Sequence, residues 1–220
     1  DQVQMTSGSG SINGSGLVTS TELILVAADG LGDEIGLELS VSDVSATTTA
    51  GNIEIDNVLG TAANVTSLVA ERGSISFEQS GGGHLTTGAV SASDAIELTN
   101  ANDIAVAGAV VGKSLKVNAL GALTDGAEGD LAIAGLAEFT AESIALGDDS
   151  GNVTDFGSLT FHSVGAVVIG EDSSLDLVGN NAAGSAALES VAAVSDAGAT
   201  SLDVAGLLDV SGASIALGAS

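Results

Sequence analysis

The feature that most constrains this chain is an internal repeat. Laid over Ser185–Gly218, a shift of 71 residues, Ser114–Gly147 matches at 12 of 34 positions without a gap. Leu131, Ala134, Gly135, Leu136 and Ser143–Gly147 meet Leu202, Ala205, Gly206, Leu207 and Ser214–Gly218. A repeat of this kind implies stacked supersecondary units, each too small to bury its own apolar face, rather than a fold built around one central core.

What repeats is a pattern of inward and outward positions. Val117 meets Leu188, Leu120 meets Val191, Leu123 meets Val194 and Ile133 meets Val204, while Lys116 changes to Ala187 and Asn118 to Glu189. Apolar residues two apart with variable polar residues between them mark half-buried strands, because successive side chains in a strand point to opposite faces. The same triplet appears as Ile53-Glu54-Ile55, Ile75-Ser76-Phe77, Ile96-Glu97-Leu98, Leu115-Lys116-Val117, Leu175-Asp176-Leu177 and Leu202-Asp203-Val204. Between triplets stand Gly, Asn, Asp and Ser, which accept tight or positive-φ corners. Only the Ala-rich run Asn181–Asp196 approaches a helical length, and Gly184 interrupts it. Its shifted counterpart reads as strand.

Composition selects among all-β folds. With four Phe, no Trp and no Tyr, the chain lacks the large aromatic side chains that fill the core of a two-sheet sandwich. A narrow core of Val, Ile, Leu and Ala suits a right-handed parallel β-helix, a β-solenoid in which every coil stacks on the one before. Dividing the 71-residue shift into three coils predicts about 24 residues per coil and roughly nine coils over residues 1–220. At about 4.8 Å per coil that is a rod of roughly 40–45 Å. The absence of proline agrees, since proline would remove a ladder hydrogen bond.

Three stretches carry a family resemblance: Gly8-Ser9-Gly10-Ser11-Ile12, Leu39–Asp56 with its Ser45-Ala46-Thr47-Thr48-Thr49-Ala50-Gly51-Asn52-Ile53 segment, and Gly157-Ser158-Leu159-Thr160-Phe161. Together with the strand triplets they resemble the shaft repeats of large bacterial exoproteins of the filamentous-haemagglutinin and autotransporter adhesin type. The resemblance implies a secreted, extracellular or cell-surface protein whose rod is structural. The chain departs from that family in having no Asn-Pro-Asn-Gly secretion motif, no signal peptide and no membrane-barrel segment. These departures read as an excerpt or processed piece of a longer repetitive chain. Uncapped strand edges template further pairing, so the expected neighbours at each end are further coils of the same chain or identical subunits stacked into a filament.

Charge bounds the partners. Against 29 carboxylates stand only three basic residues, Arg72, Lys113 and Lys116, for a net charge of −26. Nucleic-acid binding depends on neutralising phosphate with Lys and Arg, and anionic membrane surfaces are disfavoured for the same reason. No apolar run reaches the ~20 residues of a membrane-spanning helix; the mean hydropathy of +0.46 reflects Ala and Val. The acidity itself reads as a solvated surface that keeps β-rich rods apart.

Divalent cations are the functional alternative for these carboxylates. The best calcium candidate is the loop Gly147–Asp155, with oxygen donors on Asp148, Asp149, Ser150, Asn152 and Asp155 around Gly151. Calcium takes six to eight oxygens from such residues, but the spacing fits neither a helix-loop-helix site nor the nonapeptide of calcium β-rolls. Asp29, Asp33 and Glu34 form a second, weaker acidic loop.

Catalysis has less support. Polysaccharide lyases and hydrolases also use parallel β-helices, and glycoside hydrolysis needs two suitably spaced carboxylates. The chain has a single arginine, Arg72, for lyase chemistry and no aromatic platform for sugars. His84 follows Gly81-Gly82-Gly83, His162 should point outward from its strand, and without cysteine the two make no zinc pattern. The sequence therefore predicts a structural protein without catalytic residues or an organic cofactor.

Overall fold

The computed structural model describes residues 1–33, 35–149 and 151–218. Among them the chain forms 23 strands and no helix, and every strand pairing is parallel. The result is a right-handed parallel β-solenoid of about ten coils with about 21 residues each.

Each coil contributes strands to three faces. One face stacks Ile75–Gln79, Ala95–Asn100, Ser114–Ala119 and the ends of Leu131–Ala141 and Thr154–Ser163, so that Phe77, Leu98, Val117, Phe139 and Phe161 align on successive coils. A second stacks Ile104–Val106, Ala122–Asp125, Ser143–Leu146, Ala166–Glu171, Ser185–Ser190 and Leu208–Ser211. The third includes Val110–Gly112, the starts of Leu131–Ala141 and Thr154–Ser163, and later Leu175–Leu177, Ala193–Asp196 and Ser214–Ala216. The Ala-rich run Asn181–Asp196 is strand, as its repeat partner predicted.

This register corrects the coil length. Three coils above Val117, through Phe139 and Phe161, lies Asn181, 64 residues on (181 − 117). Leu188, the 71-residue match of Val117, sits on the neighbouring face, above Ile169 and Leu146. The repeat thus spans three coils and one further face, not three coils of 24. Any face needs the same thing of its sequence, apolar residues at alternate positions, so a face can resemble its neighbour as well as its own copy above.

The alternation holds through the core. Val117, Ile133, Ile144, Val167, Ile169, Leu188 and Val194 are at most 2% exposed, and fully burying each such side chain contributes about 1.5–3 kcal/mol before entropy is counted. All four Phe are inside; Phe139 and Phe156 meet edge to face with centroids 5.5 Å apart. Leu120 and Val191 break the expected pattern. They are 77% and 67% exposed, because each is the corner residue after a strand, where the chain turns and the period of two lapses. At another corner, stacked Asn57, Gln79 and Asn100 are buried and bond backbone groups: Asn57 donates to Val41 O and accepts from Val41 N, both at 2.9 Å. Such side chains satisfy amides and carbonyls that leave the ladder as the chain turns.

Candidate functional site: an acidic corner

The loop singled out as a cation candidate lies at the corner between the second and third faces, and its residues go separate ways. Asp148 and Asp149 are exposed, and Ser150 lies outside the described residues. Asn152 is turned inward, 8% exposed, and donates to Asp125 Oδ2 at 2.8 Å. Asp155 points outward between the buried Thr154 and Phe156 and accepts a hydrogen bond from Ser173 Oγ at 2.8 Å. Among the described residues no three His, Cys, Asp or Glu side chains come together as a metal group.

The structure instead brings in two carboxylates that sequence reasoning missed. Asp125 ends the strand Ala122–Asp125 in register with Val106, an inward slot. From there it reaches the coil above, where its Oδ2 accepts from Gly147 N at 2.8 Å as well as from Asn152. Glu171 ends Ala166–Glu171 two residues after the buried Ile169, again inward, and is 3% exposed. It reaches across the corner, where Oε1 accepts from Phe156 N at 2.8 Å and from Ser173 Oγ at 3.2 Å. Both signals were present in the sequence, as carboxylates continuing the alternations Leu123-Thr124-Asp125 and Val167-Val168-Ile169-Gly170-Glu171.

Burial raises both acids. Asp125 is pushed up to about 6, by desolvation first and then by the charges of Asp148 and Asp149, against the stabilising amide of Gly147. Glu171 is pushed up to about 7 by desolvation, with Asp155 and Asp172 adding to it and the Phe156 amide and Ser173 hydroxyl opposing it. In each case the cost of removing a carboxylate from water outweighs its hydrogen bonds. Three buried oxygens here, Asp125 Oδ1, Thr154 Oγ1 and Glu171 Oε2, have no hydrogen-bond partner. A shallow groove opens over Glu171 to solvent, rimmed by Asp148, Asp149, Asn152, Asp172 and Glu189.

The remaining candidates are spread along the rod. Asp33 ties neighbouring coils together, accepting from Ser11 Oγ at 3.3 Å and Asn52 N at 3.2 Å; Asp29 is exposed and Glu34 lies outside the described residues. His84 Nδ1 stands 3.0 Å from Asp103 Oδ2 in an exposed pair. His162 points outward as expected, and Arg72 occupies an exposed turn between Ala70 and Ile75. No helix among the described residues is long and apolar enough to cross a membrane.

Compared with known proteins, the chain matches no family model, no curated protein and no solved structure.

Proposed function

We propose that this protein is a structural, non-catalytic extracellular rod, the shaft of a large bacterial surface adhesin of the filamentous-haemagglutinin or autotransporter type. The observation that carries the reading is the uninterrupted stack: Ser76, Glu97, Lys116, Glu138 and Thr160 follow one another on consecutive coils of one face with a continuous apolar core beneath. Such a stack transmits length, because each coil is held to the next by a full set of backbone hydrogen bonds and cannot pivot as linked domains do. Outward positions vary freely in size and charge, and a net charge of −26 keeps neighbouring rods from associating sideways. The strand pattern and the Gly/Ser/Thr-rich resembling segments support the adhesin assignment.

Small-angle scattering with light scattering tests this. A rigid monomeric rod roughly 45–50 Å long is expected from about ten coils at 4.8 Å. Concentration-dependent growth of rods would replace the shaft reading with a self-assembling filament. Cleavage of an acidic polysaccharide that is lost on Arg72→Ala would replace it with an enzyme.

A further inference from the structure

Glu171 is 3% exposed yet forms the floor of a groove whose walls carry Asp148, Asp149, Asp172 and Glu189. No Lys or Arg lines that groove; Lys113 and Lys116 are engaged by Asp94 and Glu97 on another face, and Arg72 lies in a distant coil. The protein therefore places a buried carboxylate under a ring of like charges and supplies no cation of its own. A buried charge persists only when something neutralises it.

Two interior oxygens show where a neutralising group would sit. Glu171 Oε1 is occupied by Phe156 N and Ser173 Oγ, while Oε2 meets no donor. Thr154 is 0% exposed and its hydroxyl, Oγ1, has no partner either. That hydroxyl faces Gly147, at 2.9 Å from where a side chain on this glycine would begin, and Gly147 itself lines the groove. Thr154 and Phe156, the residue that anchors Glu171, are adjacent inward positions of one strand. Everything left unpaired here is oxygen, and an all-oxygen set rich in carboxylates selects a hard cation, calcium above zinc or copper.

We propose that this corner is a calcium-class divalent cation site, with Glu171 Oε2 and Thr154 Oγ1 as interior ligands and Asp148, Asp149 and Asp172 as the carboxylates at its mouth. The site differs from the loop set expected from sequence, since Asn152 turns to Asp125 and Asp155 to Ser173. Protonation of Glu171 would neutralise that one carboxyl but would leave the rim charges uncompensated. A divalent ion answers both, and the groove is its path in. The inference is independent of the rod's biological role.

The test is calorimetric titration of calcium chloride into metal-stripped protein at neutral pH and physiological ionic strength, with thermal unfolding followed in parallel. One saturable site and a rise in Tm are expected. Glu171→Gln and Thr154→Val should each weaken binding by about tenfold or more, as loss of ligands or their supports does. Glu78→Gln, on a different face, should leave it unchanged. Absence of saturable binding at millimolar calcium overturns the proposal. So does binding that persists equally in Glu171→Gln, which would mean only diffuse attraction to an acidic rod. If Glu171→Gln fails to fold, the nearly isosteric Thr154→Val decides by the same criterion.

Discussion

Asp125 Oδ2 accepts a hydrogen bond from the amide of Gly147 in the coil above at 2.8 Å, and 71 residues later Asp196 Oδ2 accepts one from the amide of Gly218 at 2.9 Å. Both glycines have left-handed backbone, with φ of 68° and 75°. After each aspartate the chain makes the same tight turn, closed by Gly129 N to Gly126 O at 2.7 Å and Thr200 N to Ala197 O at 3.1 Å. The repeat therefore preserves a corner device, a carboxylate that holds the glycine at which the next coil bends, although the two copies stand on different faces.

Removing that carboxylate should loosen the corner. Asp125→Ala leaves the Gly147 amide and the Asn152 side chain without their acceptor, and an expected loss of about 1–3 kcal/mol follows from unpaired buried donors. Asp125→Asn, which keeps an acceptor oxygen, should lose less. Urea denaturation of both variants checks the order; equal losses would show that the hydrogen bond contributes nothing.

Gly147→Ala should cost more than an ordinary surface change. The left-handed conformation disfavours a side chain, and a Cβ there would run into Gly170 O and approach Thr154 Oγ1. By contrast Gly151→Ala has open space at its Cβ and carries only the backbone strain of φ 114°. Thermal unfolding followed by circular dichroism should rank Gly147→Ala below Gly151→Ala.

Ile144 and Ile215 are matched by the repeat but differ in burial, at 1% and 52% exposed. The repeat alone predicts equal damage from an aspartate at either position. The structure predicts that Ile144→Asp unfolds its coils, since burying an unpaired charge costs several kcal/mol, whereas Ile215→Asp, in the last described coil, is tolerated. Melting curves that fall together would contradict this.

The raised acids give a pH dependence of definite sign. Asp125 and Glu171 bind protons more tightly folded, at about 6 and about 7, than their ordinary values of 3.8 and 4.5. Their contribution is fully present below about pH 4 and is lost as pH rises through 6 to 7. In metal-free buffer Tm should fall by several degrees between about pH 5 and pH 8. Glu171→Gln should flatten that slope, and an unchanged slope in this variant would assign it to general charge repulsion.

On the first face Lys116 sits on the rung between Glu97 and Glu138, 2.9 Å from the Glu97 carboxylate, with both side chains nearly half exposed. Lys116→Ala should cost under about 1 kcal/mol, as exposed ion pairs do. Lys116→Glu should cost more, because it sets three carboxylates on adjacent rungs. Denaturation at low and high salt checks this, since salt should narrow the gap between the two variants.

Much of the fold was legible before any coordinates. Val167 and Ile169 inward, Lys116 and His162 outward, and strand in place of helix over Asn181–Asp196 all follow from the period of two, which is a property of the extended backbone itself. The scarcity of aromatics and the repeat together implied a solenoid. Tertiary structure decided what depends on how far the chain travels around a corner. Rungs are separated by as few as 18 residues, from Leu159 to Leu177, and as many as 23, from Leu131 to Thr154. No local pattern records that spacing. It sets about 21 residues per coil instead of 24, carries Leu188 to a different face from Val117, and leaves Leu120 and Val191 in solvent. It also brings Asp125 and Glu171, 46 residues apart (171 − 125), to bond Gly147 and Phe156 within one coil. Alternation along a strand is encoded residue by residue, but which coil lies above which is chosen by the packing of the whole stack.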